Sequence, residues 1–146
     1  MDLDEFRRVH SELVEHYQFI EHHLEGIYSA LQDKYFYDGL VEVERDNIPR
    51  LIHRILSIQQ KNGEVVLSEE DLSRINNAYE RRNFWCHNCY VDLVFDRKTG
   101  GPSHLNDVKA MMSDLVEAKS LRDELFERKL SYMERKRKNS KDGVYW

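Results

Sequence analysis

The chain has 146 residues, of which 34% are charged, with a formal net charge of −5, two prolines and six glycines. This length fits one domain with a single hydrophobic core, and the scarcity of helix-breaking residues favours helices over an all-β fold. The acidic balance means that a nucleic-acid partner requires a local basic patch, and no apolar run approaches the about 20 residues of a membrane span.

The first predicted element is a long amphipathic helix. Apolar residues repeat at steps of three and four from Leu3 to Leu31, which predicts one helix of about eight turns. His10 is the polar member of this stripe and is expected at a hydrogen-bonded core position, whereas His22 and His23 are expected at the surface and flank. The opening MDLDEFRRVH is acidic and amphipathic, unlike the basic and then apolar start of a secretory signal.

A break and a shorter helix follow. Residues 33–39 interrupt the helical spacing with the aromatic cluster at 35–37, Tyr-Phe-Tyr. Those rings are expected to pack between helices, although such rings also stack on nucleic-acid bases. A second helix is predicted from a cap at Asp46 or Asn47, with Pro49 in its first turn, to a stop at Asn62-Gly63.

Two further helices complete the predicted fold. Ser68 and Asp71 form a capping-box pattern that opens the third helix. Residues 96–103, DRKTGGPS, are a loop by composition, and a long fourth helix begins near Leu105. The prediction is a single all-α domain over 1–146, an antiparallel four-helix bundle with two long helices. Its basic tail, 135–146, is expected to fray into solvent, although a basic arm of this kind also suits RNA phosphates.

The third helix carries an arginine where an apolar residue is expected. Its predicted buried stripe includes Arg82, whose guanidinium stays protonated at any ordinary pH. Unpaired burial would cost several kcal/mol, so this side chain must meet an anion or open onto a cleft. The stripe consists of Leu72, Ile75, Tyr79, Arg82, Cys86, Cys89 and Leu93.

A second polar track runs beside this stripe. Asn83 and His87 stand one turn apart, so they can share a ligand. From Phe84 to Phe95 the remaining residues are apolar nearly all round the helix, which is typical of a core helix or of one shared with a second subunit. Arg82 and His87 lie about 140° apart around the helix. Two such helices meeting across a two-fold axis would bring each arginine near the partner's histidine.

These residues resemble the HEPN domain family. Arg82-Asn83-Phe84-Trp85-Cys86-His87 fits its R-x4-H motif with a polar residue after the arginine, and Arg81 with His87 fits the looser R-x5-H form. The resemblance implies a small all-α homodimer with the motif helix at its interface, often a metal-independent RNase of toxin–antitoxin, abortive-infection or other defence systems, with an antitoxin as partner. Some of these toxins have a tyrosine two residues after the histidine, where this chain has Cys89, followed by Tyr90.

The resemblance also implies a role for each residue. His87 would move protons while the RNA 2′-hydroxyl attacks the adjacent phosphate, and Arg82 would stabilise the extra negative charge. Asn83 would orient the imidazole or contact the phosphate. Arg81 and Tyr90 are the expected RNA-binding residues, and neither a metal nor another cofactor is required. The products would be a 2′,3′-cyclic phosphate and a 5′-hydroxyl.

Other interpretations remain open. A HEPN fold also serves as a catalytically inactive dimer that binds a nucleotide or a protein. The cluster Cys86-His87-Asn88-Cys89 suggests zinc, but it lacks a second cysteine pair, and small core cysteines in a reducing cytoplasm are the preferred explanation. A metal-dependent bundle enzyme would instead draw on His16, His53 and His87 from three helices.

Overall fold

The computed structural model describes residues 2–87, 89–90 and 108–140, most of which are helical and none of which lies in a strand. The prediction of an all-α bundle with two long helices is confirmed. The described residues form five helices where four were predicted. They are α1 (Leu3–Ala30), α2 (Phe36–Val43), α3 (Ile48–Asn62), α4 (Glu69–His87) and α5 (Val108–Asn139). Over the described ranges, no helix is both long and apolar enough to cross a membrane.

Helix α1 is the centre of the bundle and packs against each of the other four helices, most extensively against α5. Its predicted stripe is the buried face, with Leu13, Ile20 and Leu24 fully inaccessible. His10 is hydrogen-bonded as predicted, because its Nε2 lies 2.7 Å from the Trp85 carbonyl oxygen of α4. The prediction for His23 was wrong: the side chain is buried against the Phe126 ring of α5, at 5.3 Å between ring centroids.

The two long helices run parallel to each other, contrary to the antiparallel arrangement predicted for them. Contacts between α1 and α5 advance in the same direction along both, from His16–Arg122 through His23–Phe126 to Gln32–Lys136. Contacts between α4 and α5 advance in opposite directions. A fifth helix adds one more change of chain direction, so the first and last helices point the same way.

The extra helix is α2, which the sequence analysis assigned to a break. It depends on a close approach to α1, where a Cβ on Gly39 would lie 3.0 Å from the Ser29 Cα. The Ser29 hydroxyl also donates a hydrogen bond to the Phe36 carbonyl oxygen. Within the aromatic cluster, Tyr35 and Tyr37 are 51% and 72% exposed, contrary to the predicted packing between helices, whereas Phe36 is partly buried. A tertiary contact therefore stabilises this eight-residue helix.

The predicted ends of α3 and the predicted start of α4 are confirmed. The Asn47 side chain accepts a hydrogen bond from the Arg50 amide at 3.0 Å, and Gly63 ends α3 in the left-handed region at φ 70°. At α4 the capping box is complete. The Ser68 amide donates to Asp71 Oδ2 at 2.8 Å, and the Asp71 amide donates to Ser68 Oγ at 3.1 Å.

Helix α5 extends into the predicted basic tail. Residues 135–139 are helical, and Arg135 forms two hydrogen bonds with Glu64 at 2.9 and 3.2 Å. Lys136 donates to the Gln32 carbonyl oxygen at the end of α1. The prediction that the tail frays is therefore wrong for residues 135–139. The predicted loop 96–103, the predicted start of the last helix at Leu105 and the tail beyond 140 lie outside the described residues.

Candidate functional site

Helix α4 buries a face that is shifted from the predicted one. Its buried residues are Ile75, Ala78 and Trp85, and Cys89 follows on the same line. Cys86, predicted in the core, is exposed. A helical step of three or four residues from Arg82 can place either Trp85 or Cys86 on the buried face. Burial of the large indole contributes more free energy than burial of a thiol, so Trp85 faces inward.

Trp85 anchors this face to the neighbouring helices. Its Nε1 donates to Asp114 Oδ2 on α5 at 2.7 Å, so the buried indole N–H is satisfied. Its carbonyl oxygen accepts a hydrogen bond from His10 of α1, and the Cys89 thiol lies 2.9 Å from the same oxygen. The tryptophan thus determines which side of α4 faces the core and which side carries the motif.

Arg81 is engaged in the same cluster. Its Nε donates to Asp114 Oδ2 at 2.6 Å, and its guanidinium carbon lies 5.0 and 5.6 Å from the Phe84 and Trp85 ring centroids. An ion pair with these additional ring contacts connects α4 to α5. The side chain predicted to bind RNA therefore has a structural partner in the folded chain.

Arg82 occupies a different environment at the seam between α1 and α4. Its side chain is 33% exposed, and its nearest ion-pair contact is Glu21 Oε2, 3.9 Å from Nη2. This distance is too long for a hydrogen bond, so the attraction is weak. The arginine meets an anion, as its position on the stripe predicted, and its fork of N–H donors keeps capacity for a second one.

The other two motif residues lie on the outer side of α4. Asn83 is partly buried, and His87, the last residue of the helix, is exposed. No hydrogen bond joins Arg82, Asn83 and His87 to one another in the described parts of the chain. The motif side chains are therefore presented by one helix but are not assembled into a catalytic group within a single chain.

A carboxyl group that the sequence did not reveal lies on the same helix as the ion-pair partner of Arg82. Glu25 is one turn from Glu21 on α1, and its pKa is raised to about 7 by burial, with repulsion from Glu21, Asp46 and Glu44 adding to the shift. The available signal was the acidic pair at positions 21 and 25, directly beside the apolar stripe. The raised pKa of Glu25 depends in part on Glu44 and Asp46, which come close to it only in the folded chain.

Tyr90 lies on the other flank of the motif region. Its ring packs edge-on against Phe6 and His10, at 5.3 and 5.1 Å between centroids, and burial raises the pKa of its hydroxyl. The tyrosine lines an open groove of about 510 Å³ that also includes Arg7. This groove runs along the first half of α1.

Metal binding has no support in the described residues. No three histidine, cysteine, aspartate or glutamate side chains among them form a group that could hold a metal ion. His53 and His87 are exposed on separate helices while His16 is buried on a third. The cysteines separate as well, since Cys86 is exposed and Cys89 is buried.

Comparison with known proteins adds no assignment. No protein-family model matches the chain, and no curated protein and no solved structure matches it at a significant level. The function therefore has to be inferred from the motif residues and from their positions in the bundle.

Proposed function

We propose that this chain is a HEPN-like, metal-independent endoribonuclease that acts in the cytoplasm as part of a toxin–antitoxin or phage-defence system. The observation that carries the proposal is the environment of Arg82. Its side chain is two-thirds covered beside α1, yet its carboxylate neighbour is 3.9 Å away. A partly desolvated arginine with donors to spare is suited to a phosphate, because desolvation strengthens a charge-assisted contact.

The proposed reaction needs one proton acceptor and one cation. His87 takes the proton from the RNA 2′-hydroxyl, whose oxygen attacks the adjacent phosphorus while the bond to the 5′-oxygen breaks. The departing 5′-oxygen receives a proton from water. Arg82 stabilises the negative charge that develops on the phosphate, and Asn83 orients an imidazole or binds a phosphate oxygen.

The histidine and the arginine of one site come from two copies of the chain. His87 and Arg82 point about 140° apart on α4, so one chain presents them at separate edges of the helix. A homodimer through the motif helix would place the arginine of each chain near the histidine of the other. The exposure of His87 leaves it accessible to a partner.

The first test is RNA cleavage by purified protein in the presence of EDTA. We expect cleavage, with a loss of about 10²–10⁴-fold for His87→Ala and at least about 100-fold for Arg82→Ala. His53→Ala is the matched histidine control, because His53 is also exposed on a helix, and Arg8→Ala is the arginine control. Uncut RNA with the wild-type chain, across single-stranded and structured substrates, would contradict the proposal.

A mixing experiment tests the shared site. Chains carrying Arg82→Ala and chains carrying His87→Ala are unfolded, mixed and refolded together. A mixed dimer then contains one site with an intact arginine from one chain and an intact histidine from the other. We expect cleavage to return to about a quarter of the wild-type rate, because half of the dimers are mixed and each has one working site. No recovery would place both residues of each site in the same chain.

A second function, a catalytically inactive module that binds a nucleotide or a protein, is favoured by one observation. Glu21 of α1 faces Arg82, and Glu25, one turn further on, is within electrostatic range of Glu21 and Glu44. Their field opposes a long polyanion more strongly than a small ligand or a basic protein segment. Arg82-dependent binding of a mononucleotide, without cleavage of any RNA, would support this function over the first.

A further inference from the structure

The outward face of α5 exposes apolar side chains. Among the described residues, four of the nine large apolar side chains that are exposed belong to this helix. At 100° per residue they fall within an arc of roughly 80°, so they form one stripe. The four are Met112 (41% exposed), Val116 (69%), Phe126 (40%) and Leu130 (41%).

Two opposite charges occupy the middle of this stripe. Lys119 and Asp123 are exposed, lie within the same arc and make no ion pair with any described residue. Glu117 and Glu124, which lie outside this arc, instead pair with Arg74 on α4. The charges of the stripe are thus available to a partner.

The stripe is symmetric about its centre. Met112 and Leu130, Val116 and Phe126, and Lys119 and Asp123 are three pairs of positions, each centred on position 121. Apolar residues therefore stand at both ends, and unlike charges stand on either side of the midpoint. A second α5 in the antiparallel direction would match apolar with apolar and cation with anion at every pair.

We propose that the α5 stripe, residues 112 to 130, binds the same stripe of a second copy across a two-fold axis near position 121. The contact is isologous, as most homodimer contacts are. It extends about 27 Å along the helix. Two identical Lys119–Asp123 ion pairs across the axis set the antiparallel register, and the apolar ends supply the burial.

The stripe continues onto α1 at one end. The Phe126 ring lies 5.3 Å from the His23 ring, which lies 5.8 Å from the Phe19 ring, and Phe19 is itself 37% exposed. This neighbouring surface widens the contact beyond a single pair of helices, as a stable interface requires. By contrast, the described part of α4 exposes no large apolar side chain.

This interface is independent of the proposed ribonuclease function. The side chains of α5 that reach α4, Asp114 and Glu117, leave that helix in a different direction from the stripe. A dimer through the motif helix and a dimer through α5 therefore use different faces of the chain, and neither excludes the other. Loss of cleavage in Arg82→Ala with unchanged mass would concern the motif alone.

The experiment compares the solution mass of charge-reversal variants by analytical ultracentrifugation over a range of protein concentrations. Lys119→Asp and Asp123→Lys each place two like-charged pairs across the axis, and we expect each to raise the dissociation constant by about ten-fold or more. The double variant Lys119→Asp/Asp123→Lys restores both unlike pairs, and we expect it to return within about three-fold of the wild type.

A charged substitution at an apolar position of the stripe and a matched control complete the test. Val116→Asp should raise the dissociation constant by about 100-fold, because a charge enters the stripe twice. Val65→Asp is the control, since Val65 is 67% exposed but lies outside the stripe. Equal helicity by circular dichroism would show that each variant is folded, as expected for exposed positions.

The outcomes separate clearly. Equal mass for the wild type, Val116→Asp and Val65→Asp at all concentrations would overturn the interface. Dissociation by Val116→Asp without rescue in the double charge variant would overturn the antiparallel two-fold arrangement. Dissociation by each single reversal with rescue by the double variant is the result that the symmetry of the stripe requires.

Discussion

Helices α1 and α4 differ in how well the spacing of their apolar residues anticipates the buried face. In α1 every apolar residue of the predicted stripe from Phe6 to Ile27 is buried. In α4 the buried face includes Trp85 in place of Cys86. The contrast teaches that periodicity determines the face of a helix rich in apolar residues, whereas one large ring and its hydrogen bond determine the face of a polar helix.

The largest expected effect sharpens this contrast through stability. Leu24→Ala removes a fully buried side chain of α1, and we expect a loss of about 2–5 kcal/mol in the free energy of unfolding. Arg82→Ala in α4 should cost less than about 1 kcal/mol, because its ion-pair contact is long and partly exposed. Urea denaturation followed by circular dichroism measures both. A comparable loss for Arg82→Ala would make that residue part of the core.

The next effect tests what holds α4 in its orientation. Asp114→Ala leaves the Trp85 N–H and the Arg81 guanidinium without their shared acceptor, and we expect a loss of about 2 kcal/mol. Glu127→Ala on the exposed side of α5 is a control for the loss of an acidic residue. If Asp114→Ala unfolds at the same urea concentration as the control, the Trp85 hydrogen bond does not determine the orientation of α4.

The pH dependence of stability differs between the two flanks of α1. Burial raises the pKa of Glu25 to about 7, so the folded chain binds the extra proton between about pH 4.5 and 7 and loses stability as the pH rises through that window. Burial lowers the pKa of His23 to about 4, with the nearby Lys129 adding to the effect. The unfolded chain then binds the extra proton between about pH 4 and 6.5, so this contribution is lost as the pH falls.

Single variants separate these opposing contributions. Glu25→Gln should stabilise the fold at pH 8 by about 1–2 kcal/mol and have little effect at pH 4, after allowance for solvent screening. His23→Gln should reduce the loss of stability between pH 6.5 and pH 4. Thermal unfolding at four pH values provides the measurement. A constant effect of Glu25→Gln at every pH would show that this carboxyl does not titrate between pH 4.5 and 7.

The smallest perturbation tests directly which face of α4 is buried. Cys86 is exposed and Cys89 is 1% exposed, so a thiol reagent should label one cysteine per native chain rapidly. Cys86→Ser should abolish the rapid phase, and Cys89→Ser should leave it intact. Slow labelling of both cysteines would show that Cys86 is buried, as the sequence spacing predicted.

Local signals were sufficient for several elements. The cap at Asn47, the left-handed Gly63 and the reciprocal bonds of Ser68 and Asp71 involve residues within a few positions of one another. Such contacts depend on the identity of neighbours along the chain, so they can be predicted from the residues alone. The long apolar repeat of α1 is of the same kind.

Other features depend on residues that are distant in the sequence. Helix α2 requires the approach of Gly39 to Ser29, and the parallel direction of α1 and α5 follows from that additional element. The buried position of His23 requires Phe126, about a hundred residues later. No local propensity encodes these contacts.

The candidate site combines both kinds of information. Arg82, Asn83 and His87 were identified from their types and spacing, which depend only on the chain. The partners of these residues and of their neighbours, Glu21 beside Arg82 and Asp114 beside Arg81, come from other helices. For this protein the sequence by itself determined the helical class, the caps and the motif. Only the tertiary structure decided which arginine is engaged and which retains donors for a ligand, because that choice depends on carboxylates brought together by packing.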